Sequence, residues 1–232
     1  MKEITKFIKE GLKITSKTKV NERPEYNYHP KTKEELKSII RELIKKRGNE
    51  GDFNDIDTSE ITNMSGLFES MDKFNGDISD WDVSNVTNMH SMFYGCKSFN
   101  QDVSNWDVFN VTNMSYMFCV CKSFNQPLAN WNVSNVTDMS FIFNECESFN
   151  QPLNNWDVSK VTDMSSIFFC CKVFNQPLDN WDVSKVTNME YMFDCCKSFN
   201  QDISNWNVSN VIRTMFMFEN CPIEEKYKPK FN

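Results

Sequence analysis

Apolar residues return along this chain with a period of 25. Tryptophan falls at positions 81, 106, 131, 156, 181 and 206, with no insertion between copies. In the unit that starts at Trp81, the apolar positions are Trp81, Val83, Val86, Met89, Met92, Phe93, Cys96, Phe99 and Val103, and nearly every later copy repeats them. A degenerate first copy has Ile56 in place of tryptophan and the last copy is incomplete, which makes seven units. Trp81 and Val83 flank Asp82 with the period of two of a strand. Val86, Met89, Met92, Phe93 and Cys96 share one face of a 3.6-residue helix, and Thr87, Ser91 and Tyr94 turn away from it. Ser84 or Asn85 stands where an N-cap belongs, and Lys97, repeated as Lys122, Lys172 and Lys197, follows the carbonyl-rich helix end. Phe99 to Asn105 is too short and polar for a second helix and is expected to return extended.

One such unit cannot close a core by itself, whereas seven in register can. The pattern predicts a right-handed α/β repeat solenoid of seven 25-residue rungs, each a short strand plus a short helix. At about 4.8 Å per rung it would be roughly 30–35 Å long. Identical residues then stack in columns, and Asn75, Asn100, Asn125, Asn150, Asn175 and Asn200 form one able to bond along the rod. Terminal rungs need cover. Thr32-Lys33-Glu34-Glu35 is a capping-box start, followed at helical spacing by Leu36, Ile39, Ile40, Leu43 and Ile44 up to Gly48, so 32–47 is expected to be a cap helix. The chain divides into an N-terminal peptide (1–27, amphipathic around Ile4, Phe7, Ile8 and Leu12, then extended), a helical cap (28–52), the repeats (53–222) and a short tail (223–232). Pro222 stops the repeat and Glu224 stands where a Phe is due, so the far end is thinly covered.

The segments MFYGCKSFNQ, MFCVCKSFNQ, IFNECESFNQ and MFDCCKSFNQ, joined by stretches of the WDVSNVTNM type, resemble the bacterial surface-protein repeats of the BspA-like leucine-rich-repeat family over about residues 53–221. That resemblance implies a leucine-rich-repeat-like solenoid used for binding or adhesion, generally without catalysis.

Composition narrows the surroundings. With 40% hydrophobic and 25% charged residues the chain can bury a core, and no run of about 18 apolar residues offers a membrane span. Lys6, Lys9, Glu10 and Lys13 interrupt every candidate signal-peptide core, so the expected setting is cytoplasmic or phage- or virus-associated rather than classically secreted. Residues 1–50 carry 14 basic and 8 acidic side chains, and residues 51–232 carry 11 basic and 24 acidic. An acidic body repels phosphate backbones, which argues against nucleic acid as a partner; the basic head interleaves Lys with Glu, as a solvated helix face does.

Candidate chemistry is sparse. Cys96, Cys121, Cys146, Cys171, Cys196 and Cys221 make one column, with Cys119, Cys170 and Cys195 outside it. Their spacing lacks the paired ligand sets of a zinc site, and a small buried hydrophobe with a free thiol explains the column. His29 and His90 have no repeated partner for acid–base work. Asp82, Asp107, Asp157 and Asp182, with Asp102 and Asp202, either close turns on their own backbone or hold a cation such as calcium. No catalytic residue, cofactor or metal ligand is assigned. The informative variation lies at outward positions: Tyr94, Phe109, Tyr116, Phe141, Phe169 and Tyr191 place aromatics where other units hold small or polar residues. Aromatics on a solvent face suit a recognition patch for a protein partner; drift at unconstrained positions, or packing on a neighbouring chain, gives the same pattern. The expected role is a non-enzymatic protein-interaction or adhesion module. The alternative is a structural or assembly protein of a particle or filament, self-associating end-on through the thinly covered end.

Overall fold

The computed structural model describes residues 25–231, so the expected amphipathic stretch around Ile4 to Leu12 lies outside the described residues. Among these, the one α-helix is α1, Lys33–Arg47, and a single 3-10 turn, Glu225–Tyr227, lies near the other end. Between them the 25-residue units lie on one another in parallel register. One bridge joins each neighbouring pair, running Asn63, Asn88, Asn113, Asp138, Asp163, Asn188, Arg213.

The short helix expected in each unit does not form. Within the Met89–Cys96 segment the backbone N–H groups alternate in their use. Those of Met89, Ser91, Phe93 and Gly95 donate along the stack to the carbonyls of Asn113, Ser115, Met117 and Cys119, at 2.8–2.9 Å. Those of Met92, Tyr94 and Cys96 donate three residues back, to Met89, Ser91 and Phe93, at 2.9–3.1 Å. The segment is therefore a run of overlapping turns. Two left-handed residues per unit enforce it, Ser91 at φ 54° and Gly95 at φ 75°, repeated as Tyr116 with Val120, Phe141 with Glu145, Ser166 with Cys170, Tyr191 with Cys195 and Phe216 with Asn220. Such turns also return side chains to one side every three or four residues, which is why the apolar spacing reads as a helix. Nor is there an extended strand; pairing is reduced to the single bridge.

With no helix, its expected caps take other roles. The turn is started by the bridge residues, whose side-chain oxygen accepts from the N–H two residues on, as Asn88 does from His90 (2.9 Å) and Asp138 from Ser140 (3.0 Å). Asn85 instead reaches the Ser59 carbonyl of the preceding unit (2.8 Å), and Ser84 donates to Asp82. In the lysine column, Lys122 and Lys172 converge on Glu147 at 2.7 and 2.6 Å, a link across three units rather than a helix end.

The columns seal the interior. Phe68, Phe93, Phe118, Phe143, Phe168 and Phe193 are fully buried, with neighbouring ring centroids 5.3–6.0 Å apart. A second phenylalanine file packs 4.1 Å from the first within each unit, as in Phe93 on Phe99. Polar atoms carried inward are given partners, and among the described residues Asp194 Oδ1 is the buried side-chain oxygen left without one. Each Trp Nε1–H donates to the carbonyl 28 residues earlier, from Trp81 on Phe53 (3.0 Å) to Trp206 on Leu178 (3.0 Å), and buried cysteines do the same, as Cys121 on Phe93 (3.0 Å). The Asn75–Asn200 column bonds side chain to backbone: each Oδ1 accepts from the N–H of the next Asn at 2.9 Å, and the last, Asn200, accepts from Glu224.

α1 covers the first unit with buried Leu36, Ile40 and Leu43. Thr32 caps it by accepting from the Glu35 N–H at 3.2 Å; Glu35 answers one residue early, accepting from the Lys31 N–H at 2.7 Å. Arg47 clamps the other end of α1 onto the first unit, paired in two places with Asp55 (2.7 and 2.9 Å) and bonded to the Asp52 carbonyl. Beyond it, Tyr28 forms a parallel bridge with Ile56, so the cover begins before residue 28's expected boundary, with Asn27 bonded to Asp55. At the far end the tail crosses only part of the last unit: Ile223 is buried and the Tyr227 carbonyl accepts from the Ile203 N–H at 3.0 Å.

Two outcomes follow. Gly95→Val should destabilise the protein by about 1–2 kcal/mol, since a β-branched residue resists the left-handed region. A Cβ there meets only ordinary contacts, the nearest being the Ser70 backbone at 3.5 Å, so the loss is conformational. Gly95→Asn should lose clearly less in urea unfolding; equal losses would mean that space sets the cost. The Arg47 hydrogen bonds hold the Asp55 carboxyl at about 2, below its ordinary 3.8. A lowered pKa contributes stability above about pH 4 that is lost as pH falls through about 2. Asp55→Asn should therefore be less stable than wild type by on the order of 1 kcal/mol at pH 6, allowing for solvent screening, and the difference should shrink from about pH 4 downward and vanish only below about pH 2.

Candidate interaction surface

The run of turns places one left-handed column on the outside of the stack: Gly66, Ser91, Tyr116, Phe141, Ser166, Tyr191, Phe216. Tyr116 and Phe141 are both half-buried at φ 58°, with their rings parallel within 5° and 4.4 Å apart. Tyr94 leans on Tyr116 at 6.5 Å, and His90 meets it edge-on at 5.7 Å. His90 is fixed by Ser115 Oγ (2.8 Å) and Ser91 Oγ (3.2 Å). Burial pushes the Tyr116 phenol up, with smaller contributions from Cys119, Asp138 and Asp163. Because the Tyr116 and Phe141 rings lie face on face, the group offers ring edges and the Tyr hydroxyls to an incoming surface.

Ser166, only 3% exposed, interrupts the row. Beyond it Phe169 meets Tyr191 at 6.5 Å, and Tyr191 meets Phe216 at 5.3 Å. The five aromatics expected on the outward helix face thus divide. Tyr94, Tyr116 and Phe141 form one group; Phe169 and Tyr191 form a second, which Phe216 extends. Phe109 belongs to neither: it is 46% exposed in the Asp107 turn, its carbonyl accepting from Asn135. The last unit adds exposed Ile212 (81%), Met215 (56%) and Phe216, apolar residues whose exposure follows from having no unit above them.

The other candidate groups are engaged in structure. Asp82 accepts from the N–H and Oγ of Ser84, and the same bonds to Ser159 and Ser184 lower the Asp157 and Asp182 carboxyls. Among the described residues, no three His, Cys, Asp or Glu side chains are placed to share an ion. All nine cysteines are free. Burial raises the Cys96 and Cys119 thiols to about 12 and the Cys121, Cys146 and Cys171 thiols well above their ordinary range. Among the described residues, no helix is long and apolar enough to cross a membrane.

The family model described as "Mycoplasma protein of unknown function, DUF285" matches residues 36–152 and again residues 127–229. The chain belongs to the DUF285 family. The DUF285 match starts inside α1 and continues through the repeat, so cap and stack lie within the same family region. Its two overlapping placements agree with the internal repetition. Neither the curated proteins nor the solved structures gave a match.

Proposed function

We propose that this chain is a BspA-like, leucine-rich-repeat-like solenoid that serves as a non-enzymatic protein-interaction module, its partner engaging the face of Tyr94, Tyr116 and Phe141. One observation carries the reading. Tyr116 and Phe141 occupy a left-handed position that the first unit fills with Gly66, two others with serine, and the last two with Tyr191 and Phe216. The stack requires this conformation in every unit, but bulky residues there are more strained than glycine, and adjacent aromatics kept at that cost on the surface suit a site.

A second reading, end-on assembly, draws on the last unit. Ile212, Met215 and Phe216 are exposed there, and the N–H groups of Thr214, Phe216, Phe218 and Asn220 have no partner among the described residues.

The test uses wild type, Tyr116→Ser with Phe141→Ser, and Met215→Lys, with a partner captured by the wild type and then purified. A central interface aromatic contributes about 2 kcal/mol, so the double variant should bind roughly a thousandfold more weakly if the effects add. Its fold should persist, because Ser91 and Ser166 already occupy that column. Unchanged affinity in the double variant, with loss in Met215→Lys and concentration-dependent oligomers in wild type, would replace the first reading by the second.

A further inference from the structure

Of the nine thiols, two differ from the rest in position and surroundings. Cys170 and Cys195 are half-buried, whereas Cys96, Cys121, Cys146, Cys171 and Cys196 are buried with their sulfurs bonded to carbonyls, and Cys221, also half-buried, has its sulfur on the Phe199 carbonyl at 3.5 Å. They stand one repeat apart in the second left-handed column, at φ 55° and 59°. The Cys170 N–H donates to the Asp194 carbonyl at 2.8 Å, which sets Cys195 directly over Cys170 on the adjoining unit. Parallel neighbours stand about 4.8 Å apart, inside the roughly 4.4–6.8 Å between Cα atoms that a disulfide spans. The two thiols are near enough for the charge and hydrogen bonding of Cys195 to help raise the Cys170 thiol. From the other side, Asn220 Nδ2 lies 3.9 Å from the Cys195 sulfur, and Lys197 holds the Asn220 carbonyl at 3.3 Å. Cys195 thus receives two donors. Cys170 sits between Glu145 and Asp194, whose charges add to burial in raising its thiol to about 12.

We propose that Cys170 and Cys195 form a dithiol site that reacts with low-molecular-weight disulfides and closes a covalent link between two adjacent units. The Cys195 thiolate attacks one sulfur of the small disulfide; a mixed disulfide forms on Cys195 and one small thiolate leaves, taking up a proton. Cys170 then loses its proton and attacks the Cys195 sulfur, expelling the second small thiol. The two protein thiols are oxidised to one disulfide, and the small disulfide is reduced to two thiols. The asymmetry of the pair sets the order, since the donors converge on Cys195 and the negative groups on Cys170. Cys96, Cys121, Cys146, Cys171 and Cys196, which are buried, are closed to the same reagent.

The experiment incubates the native full chain with oxidised glutathione at pH 8, blocks remaining thiols with an alkylating reagent, and maps linkages by peptide mass spectrometry. The expected result is an intrachain 170–195 link, two thiols lost of nine, a monomer, and recovery of all nine with dithiothreitol. Cys170→Ser should arrest the reaction with glutathione held on Cys195, and Cys195→Ser should slow modification at least tenfold. Both variants should fold, because Ser70 and Asn220 occupy the same column in other units. The proposal is overturned if wild type keeps glutathione on Cys195 without closing, if another pair links in the folded protein, or if the native chain loses no thiols while the urea-unfolded chain reacts.

Discussion

The structure depends on peptide groups that bond head to tail through the whole stack. The peptide joining His90 to Ser91 accepts from the Gly66 N–H and donates to the Ser115 carbonyl. The next bonds in that file run from Tyr116 to Ser140, Phe141 to Ser165, Ser166 to Glu190 and Tyr191 to Met215. Three parallel files begin at Met64, Phe68 and Ser70. An inserted residue would displace all four files together and leave buried donors without acceptors, each a loss of about 1–3 kcal/mol. The unbroken period of 25 and the identical columns of Trp, Phe, Cys and Asn are consequences of that one requirement. So is the pair of left-handed residues in each unit, without which alternate N–H groups could not turn to the axis.

How much of this was legible follows the kind of information each feature leaves in the chain. The register and columns are written as identities 25 residues apart, and α1 as a capping box with helical spacing from Leu36 to Ile44. Turn and helix were not separable, because both bring Val86, Met89, Phe93 and Cys96 to one side. Only Gly66 and Gly95 hint at left-handed backbone; Tyr116, Val120 and Phe141 share it without a glycine. The true turn starters, the Asn88 column, were hidden by adjacent Ser84 and Asn85, equally good capping residues that bond elsewhere.

The candidate surface was half legible for a related reason. Column membership follows from arithmetic, so Tyr116, Phe141 and Tyr191 could be aligned with Ser166 and Phe216 in advance. Side-chain direction could not, because it depends on the left-handed backbone. Aromatics that a helix would have sent into solvent instead lie half-buried against one another, in two groups divided by Ser166. Phe109, singled out because it replaces the Ser of its column, sits in a different turn, while Met215 and Ile212 stand out only once the last unit is seen to lack a neighbour.

The head-to-tail peptides have an electrical consequence. Four files of aligned amide dipoles add up along the stack as they do along an α-helix, giving the stack a polarity that its side-chain columns do not show. Carbonyl oxygens point toward the cap, where α1 brings Lys33 to Ser65 Oγ and Lys37 to the Gly66 carbonyl. Amide hydrogens point outward from the last unit. Two copies meeting tail to tail would set like poles together, and a copy meeting head to tail would find α1 in the way. The open end is therefore matched to a surface rich in acceptors, and the stack has a direction that anything seated on that end must respect.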